Sequence, residues 1–236
     1  MGITEKAKEY LIKDILTNCG LLQVINRGSA EILQADNTGV LLFDNIGEAH
    51  ILSALYTEDT VKWFNNLNCD LVFLTERAFI PYLRSLYGFN NLLECHQFVY
   101  TDKKPLMYEK RLDIGTPTDE EMKIIRQYYN KLSDNELMKI RSLGNLYSAR
   151  EATQSAQGSM IGFVGSHLEG SMGLLEILPE YRRLGYGTEL ECFIINNFLE
   201  KGLIPFCQVE INNDKSMKLQ NKLNLTKASG NVYWLY

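Results

Sequence analysis

Short apolar runs alternate with turn-forming residues through the first hundred positions of the chain. Two of these runs are separated only by Asn-Ile-Gly-Glu at 45–48, a spacing typical of a hairpin. Thr57 is a predicted N-cap, because a threonine hydroxyl accepts a hydrogen bond from a free first-turn amide. A second helix is expected to end near Gly88. The predicted strands are 39–44, 49–54, 69–75 and 95–100. This order predicts a mixed α/β unit.

A polar segment, residues 101–109, separates this pattern from a second one, and its Lys-Lys-Pro contains a helix breaker. We therefore predict two domains, residues 1–105 and 106–236. After the boundary, Thr116-Pro-Thr-Asp-Glu-Glu combines cap residues, proline and early acidic residues, which is typical of a helix start. The elements predicted in this half are helices to about 131, over 134–143, up to Gly202 and over 213–223, with strands at 158–166, 172–178, 204–211 and 231–236.

Composition narrows the classes of protein. The 236 residues carry a formal net charge of −5, so non-specific attraction to nucleic acid or to an anionic membrane is not expected. No apolar run approaches the length of a membrane-spanning helix. The five cysteines are odd in number and form no Cys-x-x-Cys pair, which indicates reduced core residues in a cytoplasmic protein and no metal site. Nothing in the pattern indicates an oligomeric state.

The segment Arg182-Arg183-Leu184-Gly185-Tyr186-Gly187-Thr188 joins a predicted strand to a predicted helix. Two glycines two apart let backbone amides converge on one point, and the helix adds its unpaired first-turn N–H groups. Together with two arginines, this pattern predicts a cradle for a pyrophosphate. An ordinary chain reversal is the alternative interpretation. A P-loop is disfavoured because Gly187 is followed by Thr-Glu, and a dinucleotide fingerprint is disfavoured because Leu190 stands where its third glycine belongs.

Arg-x-x-Gly-x-Gly after a strand ending in Leu-Pro resembles motif A of the GNAT acetyltransferase superfamily. Downstream, residues 213–225 resemble its motif B, in which Asn, Ser, Leu and Lys-Leu recur at fixed spacing. The resemblance covers about 113–236. It implies a GNAT fold, a central mixed sheet with flanking helices. Leu-Pro-Glu-Tyr-Arg and 205–210 are more narrowly similar to glycine N-acyltransferase-like and related bacterial proteins, whose N-terminal lobe is built like a degenerate second copy of the fold.

The resemblance implies acetyl-CoA as cosubstrate and assigns the residues that hold it. The backbone of the strand before motif A would pair with the pantetheine arm, and an amide there would stabilise the oxyanion formed when an amine attacks the thioester. Asn213 and Ser216 would lie along the pantetheine. The pantetheine-binding strand residues are Leu175, Glu176 and Ile177, and the pyrophosphate residues are Arg182, Arg183, Leu184, Gly185, Tyr186, Gly187 and Thr188.

The general base is open. Many family members place a Glu where this chain has Ser171, and a serine is a poor base. Glu169 lies two residues earlier and would share the face of Ser171, so these two are the predicted catalytic residues. Strand alternation places the Glu176 side chain on the opposite face. His167 and Glu210 are alternatives as the base.

The general acid is also open, since Gln220 stands where the family often has a tyrosine that protonates the departing thiolate. An amide cannot serve as an acid, although a thiol with a pKa near about 8.5 is a tolerable leaving group. The predicted function is therefore an N-acetyltransferase that moves an acetyl group from acetyl-CoA to the amine of a small molecule or amino acid by direct attack. The alternative is a non-catalytic coenzyme A-binding regulatory module.

Overall fold

The computed structural model describes residues 2–152 and 158–236, and its elements are of mixed α/β type. The helices are α1 (Ile3–Leu11), α2 (Ile15–Asn26), α3 (Glu58–Val61), α4 (Ile80–Tyr87), α5 (Asp119–Tyr128), α6 (Asp134–Ser142), α7 (Tyr186–Glu200) and α8 (Asp214–Lys222). The strands are β1 (Ala30–Asp36), β2 (Gly39–Asp44), β3 (Ala49–Ala54), β4 (Val72–Leu74), β5 (Leu92–Val99), β6 (Leu112–Gly115), β7 (Leu146–Glu151), β8 (Met160–Ser166), β9 (Met172–Ile177), β10 (Phe206–Glu210) and β11 (Thr226–Leu235).

The chain forms two compact units, residues 1–101 with 206–236 and residues 102–205. In the first unit the strand order is β1-β2-β3-β4-β11-β5-β10. β3 and β4 run parallel, and the other neighbouring pairs are antiparallel. The hairpin predicted at 39–54 is confirmed, with Asp44 paired to Ala49 and Gly39 to Ala54.

Side-chain caps start the helices where the sequence predicts them. The Thr57 hydroxyl accepts from the amide of Thr60, and Thr118 and Ser133 open α5 and α6 with reciprocal capping boxes. Gly88 ends α4 in the left-handed conformation, with φ of 76°. These local signals involve residues within four positions of each other, which is why they can be read from sequence.

Three strands were not predicted: β1, β6 and β7. Each carries polar residues among its apolar ones, as in Ala-Glu-Ile-Leu-Gln-Ala-Asp of β1, and two of them, β1 and β6, are the outer strands of their units. An outer strand buries less of its surface, so its hydrophobic pattern is weak. α5 also ends at Tyr128 rather than at about 131, and β4 is shorter than the predicted strand 69–75.

The second unit is a four-stranded antiparallel sheet in the order β9-β8-β7-β6. Phe163 of β8 is fully buried and packs in one cluster with Ile125 of α5 and Ile140 of α6. The opposite face of this sheet meets α7, since a side chain added at Gly187 would contact Ile177 of β9 at 3.7 Å. The sheet of the second unit therefore packs against α5 and α6 on one face and against α7 on the other.

The last 31 residues belong to the first unit rather than with 106–205, where the predicted boundary placed them. β11 lies between β4 and β5 and is antiparallel to both, and β10 pairs with the other edge of β5. Backbone hydrogen bonds over the length of β11 thus tie the C-terminus to the N-terminal strands. A boundary read from local composition cannot detect such pairing across more than a hundred residues.

The order of elements in the first half of the chain recurs in the second half. Two helices, three strands, a helix, a strand, a helix and a strand run from α1 to β5, and the same series runs from α5 to β11 once β6 is set aside. A duplicated fold would produce such an order. The two series exchange their last strands in the first unit, because β11 of the second series lies between β4 and β5 of the first.

Composition also led to predictions about the cysteines and about membrane-spanning helices. All five cysteines are among the described residues, where each is buried and free of disulfides. Burial raises the pKa of the Cys69 thiol to about 12, which keeps it protonated and unreactive. Within residues 2–152 and 158–236, no helix combines the length and the apolar character required to cross a membrane.

Candidate active site

A bulge interrupts β9 in the middle of the predicted pantetheine-binding strand. Gly165 pairs with Gly173 and Phe163 pairs with Glu176, so two residues of β9 lie opposite one of β8. Leu174 at the bulge has φ of 51°, a left-handed conformation that costs a non-glycine residue about 1–3 kcal/mol. Its side chain is buried in the cluster around Phe163, and that burial offsets the backbone strain.

The bulge corrects the predicted facing of Glu176. Residues 163 and 165 lie on one face of β8, so their partners Glu176 and Gly173 lie on one face of β9. Ser171, two residues before Gly173, shares this face. The prediction that Glu176 points away from Ser171 is therefore wrong, because the extra residue at the bulge shifts the alternation by one.

The turn between β9 and α7 holds two residues in the left-handed conformation. Arg183 has φ of 65° and Gly185 has φ of 89°. Gly185 is the N-cap of α7 and offers no side chain to the first-turn amides, unlike the Thr and Ser caps elsewhere in the chain. The start of α7 therefore has no side-chain cap.

Among the described residues, several backbone N–H groups at this turn lack a protein acceptor. The amides of Thr188 and Glu189 donate to the carbonyl of Gly185, at 3.0 and 3.3 Å. In the part of the chain that the structure describes, the amides of residues 184–187 donate to no protein acceptor. These donors lie at the positive end of the α7 macrodipole, and together they can bind a phosphate oxygen. The predicted cradle residues Leu184, Gly185, Tyr186 and Gly187 therefore have free amides at the start of α7 among the described residues, and their role in binding pyrophosphate stays a prediction.

The two motif arginines differ in their contacts. Arg182 folds back onto β9, where its Nε donates to the carbonyl of Ile177 at 2.8 Å and its Nη2 pairs with Glu176 at 2.9 Å. Arg183 is exposed and lies in no ion pair among the described residues. Arg182 therefore ties the turn to the strand, and Arg183 is the arginine of the motif whose guanidinium is open to an anion.

Two residues near the turn were missed by sequence analysis, Arg111 and Glu189. The buried Glu189 of α7 accepts from the backbone amides of Arg111 and Leu112, at 2.7 and 2.9 Å, and from Arg111 Nε at 3.2 Å. Arg111 Nη1 also donates to the carbonyl of Leu184 at 3.0 Å. A buried acid in the first turn of a helix is the sequence signal for such a contact, but its partner 78 positions away gives none.

The predicted catalytic residues Glu169 and Ser171 are in direct contact. The Ser171 hydroxyl donates to Glu169 Oε1 at 2.5 Å, in the turn that joins β8 to β9. Ser171 is buried, whereas Glu169 is half-buried. The imidazole of His167 lies against Gly173, because a Cβ added there would sit 2.5 Å from Nε2. A carboxylate, a hydroxyl and an imidazole thus lie close to the bulge, and His167 stays an alternative as the base.

The predicted motif B residues lie in the first unit. Asn213 is the N-cap of α8, where its Oδ1 accepts from the amide of Ser216 at 3.1 Å. This local contact explains the Asn-x-x-Ser spacing without a ligand, and the contribution of both residues to pantetheine binding stays a prediction. Gln220 is buried, and its Oε1 has no hydrogen-bond partner among the described residues. Glu210, the other alternative base, ends β10 in the same unit.

No group of three or more His, Cys, Asp or Glu side chains that could bind a metal ion occurs within the described ranges.

Comparison with known proteins relates this geometry to a fold. Residues 152–235 match the profile of a family described as FR47-like protein, and no curated protein matches the chain. A solved Drosophila protein superposes with a TM-score of 0.64 at 13% identity, covering 84% of this chain and 73% of that one.

Two bacterial structures resemble nearly the whole chain. A GCN5-related N-acetyltransferase-like protein from Streptococcus suis has a TM-score of 0.54 at 13% identity and covers 100% of both chains. An acetyltransferase of the GNAT family from Colwellia psychrerythraea has a TM-score of 0.55 at 12% identity and covers 99% of this chain and 96% of that one. At these identities the likeness shows the fold, so the predicted GNAT fold is confirmed.

Proposed function

We propose that the protein is an acyl-CoA-dependent N-acetyltransferase that moves an acetyl group from acetyl-CoA to the amine of a small molecule or amino acid. The observation that supports this most is the set of unpaired amides at residues 184–187, which stands at the start of α7 directly after a bulged strand. The fold is the one seen in GNAT acetyltransferases. Fold alone does not identify substrates, so acetyl-CoA and the amine acceptor are part of the proposal.

The residues of the turn fit the pyrophosphate of coenzyme A. N–H groups that lack an acceptor among the described residues, a helix N-terminus and the exposed Arg183 supply donors and positive charge, and the N-cap has no side chain to compete with an anion. Gly187 adds no side chain to the first turn, and a Cβ there would have the side chain of Ile177 as its neighbour, at 3.7 Å. The backbone of Leu175, Glu176 and Ile177 would bind the pantetheine arm, whose thioester supplies the activated acyl carbon.

The chemistry required of the protein is positioning and removal of one proton. The amine nitrogen forms a bond to the acyl carbon and gives up its second proton to solvent, the carbon–sulfur bond breaks, and the thiolate leaves and takes a proton from solvent. An alkyl ammonium has a pKa near about 10, so a base must first remove its proton. Glu169 is the proposed base, and the hydrogen bond from Ser171 fixes the orientation of its carboxylate.

Substitution of Gly187 by Glu is expected to abolish acetyl-CoA binding while the protein stays folded. A Cβ at this position meets only Ile177, at an ordinary contact distance of 3.7 Å, and an acid in the first turn of a helix is stabilising. The added negative charge in the first turn of α7 would repel phosphate. Calorimetric titration of acetyl-CoA and thermal unfolding measure the two effects separately.

Gly187→Ala is the matched control, because it adds only the Cβ and no charge. It should retain binding within a few-fold of wild type. A folded wild-type protein that does not bind acetyl-CoA would overturn the proposed function and reduce residues 182–187 to a structural turn. If Gly187→Glu bound acetyl-CoA as tightly as wild type, the turn at residues 182–187 would not be the pyrophosphate site.

Glu169→Gln is expected to lower kcat for amine-dependent thiol release by about 100-fold or more, since general-base catalysis contributes about 10²–10⁴. Acetyl-CoA binding should be unchanged, because the hydrogen bond to Ser171 lies in the turn before β9 and outside the cradle. Glu200→Gln, an exposed acid at the end of α7, is the control. An unchanged rate in Glu169→Gln would assign the base elsewhere, with His167 next to be tested.

A non-catalytic coenzyme A-binding module is the second candidate. The burial of Gln220 at the position of the usual acid favours it, since no titratable group takes that place. A wild-type protein that binds acetyl-CoA but releases no thiol with a panel of amines and amino acids would support this alternative.

A further inference from the structure

The turn is flanked by three arginines, and the motif itself supplies only two of them. Arg182 donates to Glu176 and to the carbonyl of Ile177, so its guanidinium already has partners within the protein. Arg183 extends into solvent. The third, Arg111, precedes β6 and lies outside the Arg-x-x-Gly-x-Gly segment, yet it contacts this segment at several points.

The contacts of Arg111 fix its guanidinium beside the amides. Nη1 donates to the carbonyl of Leu184 at 3.0 Å, and the guanidinium carbon lies 4.7 Å from the centre of the Tyr186 ring. Nη2 lies 3.3 Å from the position of a Cβ on Gly185, which places it next to the unpaired amides. Among the described residues, Nη2 donates to no acceptor, so a donor is left for a ligand.

The negative charge of Glu189 at the start of α7 has to be offset before a phosphate can bind there, and Arg111 lies in position to do so. The Glu189 carboxylate is buried in the first turn of α7, where a negative charge competes with a phosphate for the same macrodipole. Arg111 Nε pairs with this carboxylate at 3.2 Å and offsets its charge. The carboxylate in turn holds the guanidinium in place through both the backbone and the side chain of Arg111.

We infer that Arg111 is a phosphate ligand of the coenzyme, supplied from before β6 to the amides of residues 184–187, and that the buried Glu189 positions it. This inference rests on the proposed function and deepens it. A planar guanidinium can hold the Leu184 carbonyl with one nitrogen and a phosphate oxygen with another, which a single ammonium cannot do at the same geometry.

Variants of Arg111 and Glu189 distinguish a role of Arg111 in binding phosphate from a role in stabilising the fold. Arg111→Gln removes the cation but leaves the buried Glu189 without its partner. The double variant Arg111→Gln/Glu189→Gln removes both charges, and the amide oxygen at 189 still accepts from the backbone of 111 and 112. Arg141→Gln is the control, because it breaks an ion pair of α6 with Asp119 at 2.7 Å in the same unit, away from the turn. Calorimetric titration with acetyl-CoA at low and high salt and thermal unfolding are measured for each.

We expect the double variant to unfold at a temperature close to that of wild type and to bind acetyl-CoA at least about tenfold more weakly, since a charge-assisted hydrogen bond to phosphate is lost. The difference should shrink at high salt, and Arg111→Lys should recover part of the affinity. Wild-type affinity in the folded double variant would overturn the inference, leaving Arg111 to balance Glu189 alone. Absence of binding by wild type would instead overturn the proposed function, and this inference with it.

Discussion

Deletion of residues 226–236 is expected to unfold the first unit. β11 lies between β4 and β5, and its Val232, Tyr233 and Leu235 are buried there. Burial of three such side chains contributes about 5–9 kcal/mol, which is comparable to the whole stability of a typical domain at about 5–15 kcal/mol. The three-residue β4 would also lose its pairing on one side.

Tryptophan fluorescence measures this effect directly. Trp63, one of two tryptophans in the chain, packs against the cluster that contains Leu235, and it remains after the deletion removes Trp234. A red-shifted Trp63 emission and lost near-UV circular dichroism are expected. Tyr236→Ala is the control, because this side chain is 51% exposed. A fragment of residues 1–105 should also fail to fold alone, and a cooperative unfolding transition of that fragment would contradict the strand exchange.

Glu189→Ala is expected to lower the free energy of unfolding by about 3 kcal/mol, since each buried hydrogen-bonding group left without a partner costs about 1–3 kcal/mol. Glu189 is 3% exposed and satisfies the amides of Arg111 and Leu112 together. The gain in helix propensity from alanine is less than about 1 kcal/mol and does not reverse the sign. Urea denaturation measures the difference.

The matched variant is Glu189→Gln, which keeps the volume and an oxygen that accepts from both amides. It should cost about 1 kcal/mol, because the Arg111 side chain is partly exposed and water replaces the lost charge pairing. Hydrogen exchange of the amides of residues 111 and 112 should accelerate in the alanine variant and stay near the wild-type rate in the glutamine variant. Equal stability of the two variants would show that Glu189 does not hold the start of β6.

The candidate site was predicted as far as its information is local. The Gly-x-Gly turn, its arginines and the following helix are adjacent in sequence, and the left-handed Gly185 needs the glycine that marks the turn. The contact between Glu169 and Ser171 is also local, because the two residues lie two positions apart in the turn before β9, and their catalytic role stays a prediction. The partner of Glu189 was missed, because an ion pair across 78 positions has no periodicity to reveal it.

Sequence alone determined the capped helices, the hairpin at 39–54 and the glycine turn, because each depends on contacts within a few residues. The tertiary structure decided three features. β11 is inserted between β4 and β5, and the bulge at Leu174 turns Glu176 to the face of Ser171. The third feature is the contact of Arg111 with Glu189. All three depend on which distant strand or helix becomes a neighbour. That choice follows from the burial of the whole chain, and no short window of sequence contains it.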